Sequence, residues 1–167
     1  GQWQQAMSLL GGMQEASMTA DVICFSAVIS ACEKGYQYDR AMLMLQDAQA
    51  SGIVLDVVSF SAAISACSKA GQWQPALALL RQMRAKGVTP NAISFNAVIG
   101  ACESGGQIEQ ALSMFEEMHT VGVTRNLVSF NSALLACKQG GQWERALELL
   151  EDAKDKAVTP SVNSYSS

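Results

Sequence analysis

The chain has 167 residues, 49% of them apolar and only three proline, and a formal net charge of −4, which together fit a packed domain and exclude a disordered tail. No apolar run approaches the ~18 residues of a membrane-spanning helix, so membrane insertion by such a helix is excluded. The acidic balance is also the wrong sign for a protein that holds nucleic acid mainly by blanketing its phosphates. Length alone allows one domain or two.

Residues 1–21 read as half a structural unit. Trp3, Ala6, Met7, Leu10 and Met13 are spaced three and four apart, which predicts one amphipathic helix, and Asp21 is placed to cap the helix that follows. From Val22 to Tyr38 runs VICFSAVISACEKGYQY. Close copies begin at Val57 (VVSFSAAISACSKAGQW), Ala92 (AISFNAVIGACESGGQI) and Leu127 (LVSFNSALLACKQGGQW), each 35 residues after the last. A fixed period of this length is the mark of a solenoid, a stack of like units that forms one continuous array. The expected units are 22–56, 57–91, 92–126 and 127–161, with a second-helix half-unit at 1–21 and the start of another unit at 162–167. The array is expected to continue past both ends, and its terminal half-units to fray.

Each full unit predicts two helices. The first runs roughly Val22 to Lys34, with Phe25, Val28, Ile29 and Cys32 on one face. The second runs roughly Tyr38 to Ala50, with Ala41, Leu43, Leu45 and Ala48 turned inward. Gly52, Gly87 and Gly122 follow the second helices where a left-handed residue is favoured. Pro75 falls in a first helical turn, and Pro90 and Pro160 lie in the turn before the next cap. Trp3, Trp73 and Trp143, with Tyr38 and Ile108 at the same position, are in phase to wedge the second helix against the core. Four of the five cysteines, Cys32, Cys67, Cys102 and Cys137, share one repeat position and read as small buried hydrophobes with reduced thiols. His119, the single histidine, has no ligand partner in the pattern and reads as a surface residue.

Within the first helices, the second, fifth, ninth and twelfth positions of the unit lie on a flank away from the Phe, Ile and Cys stripe. That flank carries Ile23, Ser26, Ser30 and Glu33, then Val58, Ser61, Ser65 and Ser68, so it is neither a core face nor an ordinary charged surface. Small polar groups beside a β-branched side chain offer a base both an edge partner and an apolar face. Asp21, Asp56, Asn91, Asn126 and Ser161 are all good N-caps, and capping alone accounts for them. The fifth-position Asn96 and Asn131 lie inside helices, where asparagine costs roughly a few tenths of a kcal/mol relative to alanine, so a functional return is expected there. Lys34 and Lys69 stand near first-helix C-termini, where they complement the helix dipole and are also placed to meet phosphate.

Unit length, the Phe-Ser/Asn pair, the Ala-Cys pair, Gly-Gln-Trp and the closing Thr-Pro-Asn give the consensus VxSFNxxIxACxxxGxxxxALxLxxxMxxxGVTPN. This resembles the pentatricopeptide repeat family over the entire chain; the 34-residue tetratricopeptide repeat fits less well, because its period and Trp-x-x-Leu-Gly opening are absent. The resemblance implies an all-α fold, a right-handed superhelical α-solenoid of stacked antiparallel helix pairs that binds single-stranded RNA at about one base per unit. It further implies that the fifth and last residues of each unit read the base: Ser26 with Asp56, Ser61 with Asn91, Asn96 with Asn126, and Asn131 with Ser161. Ile23, Val58, Ile93 and Val128 would pack against base faces, and Asn163 departs from that pattern. Asp56, an acceptor when ionised, suits guanine, the Ser61–Asn91 pair suits adenine, and asparagine at the fifth position goes with pyrimidines. The expected site is close to 5′-G-A-pyrimidine-C. The resemblance also implies a mitochondrion or plastid. No nucleophile with its base, carboxylate pair or phosphate-cradling loop stands out, so a non-catalytic role without cofactor, metal or small-molecule substrate is expected. The acidic charge and sparse lysines leave a second function open, a scaffold subunit that docks another protein in a larger assembly.

Overall fold

The computed structural model describes residues 2–15 and 20–155, which form nine α-helices and no strand. They are α1 (Gln2–Glu15), α2 (Val22–Lys34), α3 (Tyr38–Ala50), α4 (Val57–Lys69), α5 (Trp73–Ala85), α6 (Ala92–Ser104), α7 (Ile108–Thr120), α8 (Leu127–Gln139) and α9 (Trp143–Asp155). The first helices of successive pairs, α2, α4, α6 and α8, thus start 35 residues apart. The fold is an all-α helical-repeat solenoid.

Local chemistry sets the helix limits. Asp21, Asp56, Asn91 and Asn126 each accept, through the side chain, the backbone N–H three residues on, satisfying a donor that the first turn leaves unpaired. At the other end of the pairs, Gly52, Gly87 and Gly122 adopt φ of 73°, 74° and 77°, and the next amide bonds back across the turn, as Ile53 N does to the Ala48 carbonyl at 2.9 Å. In the turn inside the first pair, Tyr36 holds φ 56° where later turns have glycine, a conformation that costs a side-chain-bearing residue roughly 1–2 kcal/mol.

Each first helix packs on the next first helix, whereas α3, α5 and α7 pack closely on their own partner and on the following first helix and meet one another only through long side chains, Gln82 on Gln49 at 3.2 Å and Arg84 on Glu117. Close first helices and splayed second helices place the first helices on the inner side of the array. The core between the layers is built from Phe25, Phe60, Phe95 and Phe130, from Ile29, Ile64 and Ile99, and from the four equivalent cysteines, all buried. Leu43 departs from expectation. It is 49% exposed, and Met44 takes the inward place, because the buried set Ala41, Met44, Leu45 and Ala48 follows the i, i+3, i+4, i+7 spacing that Leu43 breaks. Trp3 and Trp73 pack against the core, but Trp143, expected to do the same, is exposed. His119 lies on the surface.

Burial raises the thiols of Cys32 and Cys137 above the ordinary value and pushes Cys67 to about 12 and Cys102 to about 11. Cys24 is half-buried at the start of α2. A thiol reagent at pH 8 should therefore modify one equivalent, at Cys24, and reach the other four only on unfolding. Titration that consumes a second equivalent from the native protein would contradict this packing.

Candidate functional site

The inner flank carries an exposed apolar row. Ile23, Val58, Ile93 and Val128, the second residues of α2, α4, α6 and α8, are 71%, 53%, 61% and 55% exposed. Nothing in the core needs them. Because the first helices stack in order, these side chains form one line along the array, one per helix pair.

Beside each apolar residue lies a polar cluster built across two helix pairs. Packing of α2 on α4 brings Ser26 against Asp56 and Ser59. The Ser26 Oγ lies 2.6 Å from the Val22 carbonyl, 2.5 Å from Ser59 Oγ and 3.3 Å from Asp56 Oδ1, and Ser59 donates to the same carboxylate oxygen from its amide at 2.8 Å and its hydroxyl at 2.7 Å. Between α4 and α6, Ser61 is joined to Asn91 through Ser94: the two hydroxyl oxygens are 2.9 Å apart, and Ser94 donates to Asn91 Oδ1 from amide and hydroxyl, both at 3.0 Å. Between α6 and α8 the longer fifth residue spans the gap directly. Asn96 Nδ2 donates to Asn126 Oδ1 at 3.1 Å, and that oxygen also takes the Ser129 amide at 3.1 Å and hydroxyl at 3.3 Å. Asn96 Oδ1 is buried without a hydrogen-bond partner, which costs about 1–3 kcal/mol. Asn131 is half-buried on α8, and Ser161 and Asn163 lie outside the described residues.

The structure thus brings together the fifth and last residues paired from sequence in the first three units. Two details differ from the expectation of two readers side by side. Ser26 and Ser61 are tucked between helices, 8% and 5% exposed, whereas Asp56 and Asn126 are exposed and Asn91 half-buried. Sequence reasoning also missed Ser59, Ser94 and Ser129, each fully buried and each the hub of its cluster. The available signal was their spacing, three residues after an Asp or Asn cap, which in α6 and α8 produces a reciprocal capping box. In α2 Cys24 takes that position, and its amide donates to Asp21 Oδ1 at 3.0 Å.

Electrostatics sharpen the difference between clusters. Partial burial acts to raise the Asp56 carboxyl, but the bonds from the Ser59 amide and hydroxyl and from Ser26 outweigh it and hold the group below its ordinary value. Asp56 is therefore an anion at neutral pH, and what it contributes to stability is lost only as pH falls through that lowered value. Lys69 forms an ion pair with Glu33 at 2.5 Å, donates to the Glu33 carbonyl at 3.3 Å and lies 4.9 Å over the Tyr36 ring. Lys34 is exposed. Gln139 meets Glu103 at 2.6 Å with the same 36-residue offset, so bridges between consecutive first helices close this end of the flank.

Among solved structures, the pentatricopeptide repeat protein PPR10 in complex with an 18-nt psaJ RNA element is similar, with a TM-score of 0.83 at 25% identity over 99% of this chain and 24% of that one. PPR10 from maize gives a TM-score of 0.70 at 29% identity over 98% and 23%. This chain therefore spans about a quarter of the length of PPR10. The PPR domain of Arabidopsis thaliana protein-only RNase P 1, in complex with tRNA, gives 0.87 at 13% identity over 98% and 86%, a likeness of fold alone. No curated protein matches the chain. Residues 43–104 match the family model for a pentatricopeptide repeat domain, 90–139 that for the PPR repeat family and 128–158 that for the PPR repeat. These matches overlap without a gap from residue 43 to residue 158, and the chain belongs to the pentatricopeptide repeat family.

Proposed function

We propose that the inner flank binds single-stranded RNA, about one base per helix pair, and acts by occluding or presenting a short segment of a mitochondrial or plastid transcript rather than by cutting it. The observation that carries this is the exposed row Ile23, Val58, Ile93 and Val128, each beside its own polar cluster. Helices that pack about 8–10 Å apart set consecutive apolar side chains at a separation one unstacked base can fill. The likeness to PPR10, whose structure holds an RNA element, supports the same use of the surface.

In this proposal Asp56, Asn91 and Asn126 meet the base edges, with Asn131 and Ser161 forming the fourth pair, and the preferred core is 5′-G-A-pyrimidine-C. An ionised Asp56 accepts from the N1–H and exocyclic amine of guanine. Asp56→Asn replaces an acceptor by an amide of the same shape, so the first-position preference should move from guanine toward adenine by about tenfold in ratio. A binding selection on randomised single-stranded RNA measures this directly, and an unchanged preference at that position would sink the base assignment. Lys34 and Lys69 would meet phosphate, with Lys69 exchanging Glu33 for the ligand.

The scaffold function stays in competition because the net charge is −4 and Lys69 is already paired with Glu33. Absence of RNA affinity at low salt, together with stable co-purification of a protein partner, would decide for it.

A further inference from the structure

We infer that Ser94 sets base preference without touching a base, by fixing which atom of the Asn91 side chain, the last of its unit, faces outward. This rests on the base-reading proposal above and adds a residue outside the fifth and last positions.

A serine hydroxyl has one proton, and a carboxylate oxygen or carbonyl only accepts. The shortest bonds to Asp56 Oδ1 come from the Ser59 amide and hydroxyl, and the negative charge makes these the strongest in the cluster. The single Ser26 proton is shared among the Val22 carbonyl, Ser59 and the same Asp56 oxygen, all behind the surface and the first two closer. Ser26 thus has no donor left for a ligand, and Asp56 Oδ1 is consumed internally. What Asp56 offers outward is its other carboxylate oxygen, a bare acceptor.

The second cluster has the same geometry with the opposite result. Ser94 holds Asn91 Oδ1 with two donors, its hydroxyl oxygen lies 2.9 Å from Ser61 Oγ, and it also receives the Asn91 backbone amide at 3.4 Å. Rotating the Asn91 amide by half a turn would set its NH2 against the Ser94 N–H, donor against donor. Asn91 is therefore held with Nδ2 outward, and the cluster presents donors where the first presents an acceptor. Without the serine hydroxyl, the Asn91 amide keeps only the Ser94 N–H to hold its oxygen inward and turns over more readily, so an aspartate and an asparagine would differ less in what they select. Ser94 is thus a positioning residue that gives the Asn91 amide a direction, whereas the two equivalent oxygens of the Asp56 carboxylate need none.

The test is competition binding of the chain to short single-stranded RNAs with the core 5′-GAUC, varied one base at a time. Ser94→Ala should lower the adenine-over-guanine preference at the second base about fivefold and leave the first-base preference intact, whereas Ser59→Ala should leave both preferences in place, because either oxygen of the Asp56 carboxylate is an acceptor. Because Ser94 also caps α6, Ser61→Ala serves as a second variant. It leaves the cap in place, removes the hydroxyl that orders Ser94, and should relax the second base in the same direction. Unchanged second-base preference in both variants, or equal weakening at every position, would overturn the inference and leave these serines as helix caps only. A wild-type chain that binds RNA with no base preference would remove the base-reading proposal and this inference with it.

Discussion

Alanine at Gly105 is expected to destabilise the protein by about 2 kcal/mol, and tyrosine at Trp73, a smaller ring freer to turn away, to recover part of that loss. The backbone at Gly105 has φ −85°, which any residue adopts, so the cost is steric and not conformational. A Cβ there would stand 2.5 Å from Trp73 Cδ1 and 3.2 Å from both Trp73 Cγ and the Ala101 carbonyl oxygen. The contacted atoms are at the root of a rigid indole and in backbone, so neither withdraws cheaply. The same relation recurs 32 residues apart along the array: Trp3 lies against Gly35, and Ile108 against Gly140, where an added Cβ would come 3.0 Å from Ile108 Cγ2. At the equivalent positions of the remaining pair, also 32 residues apart, the sequence has the smaller Tyr38 and the larger Ala70, which is the combination that Gly105→Ala with Trp73→Tyr would reproduce. Thermal or urea unfolding of the two single variants and the double should give a coupling energy of at least about 1 kcal/mol. Gly12→Ala is the control, since nothing lies within 4 Å of its added methyl group and the change should be neutral or slightly stabilising. Strictly additive losses would show that the ring and the glycine do not interlock.

Most of the fold was legible because each structural decision is local and repeated. A cap residue, a 13-residue apolar stripe and a terminal glycine recur every 35 residues, and α2 and α3 fall on Val22–Lys34 and Tyr38–Ala50 as the pattern predicts. Leu43 was misjudged because a leucine in a leucine-rich helix looks inward until the phase is counted from Ala41. The candidate site was legible in part. The apolar row and the polar pairs could be found from helical periodicity, since each is defined by one flank of one helix. Burial of Ser26 and Ser61 could not, because it arises only when α4 covers α2 and α6 covers α4. The same stacking turns Ser59 and Ser94 from ordinary first-turn serines into hubs. Likewise the Lys69–Glu33 pair spans 36 residues and is visible only once the helices are stacked. What a single helix dictates can be read from sequence, and what two neighbouring units share cannot without their register.

Arg125 is the clearest residue of that second kind, and its replacement by alanine should cost about 3 kcal/mol, or roughly 6–12 °C in Tm. In the linker before α8 it occupies the unit position held elsewhere by Leu55, Pro90 and Pro160, where a charged residue reads as loop surface. Instead its side chain is 8% exposed. The guanidinium lies 4.7 Å from the Phe115 ring centroid and 5.7 Å from that of Phe130, and these rings themselves meet edge to face at 5.1 Å. Its charge is met by Asp152 at 3.0 Å and more distantly by Glu116 at 3.7 Å. Both acids are partly or largely open to water, so the ion pairs add little, and most of the stabilisation comes from the buried stem and the cation–π contacts. Leu55, at the same position two units earlier, is 2% exposed, which shows that an aliphatic side chain fills this site. Arg125→Leu should therefore stay within about 1 kcal/mol of the wild type while Arg125→Ala falls well below it. The wild-type Tm should also move little when NaCl is raised to about 1 M, because the dominant contacts are shielded from screening. Equal losses for the leucine and alanine variants would instead assign the stabilisation to the ion pair with Asp152.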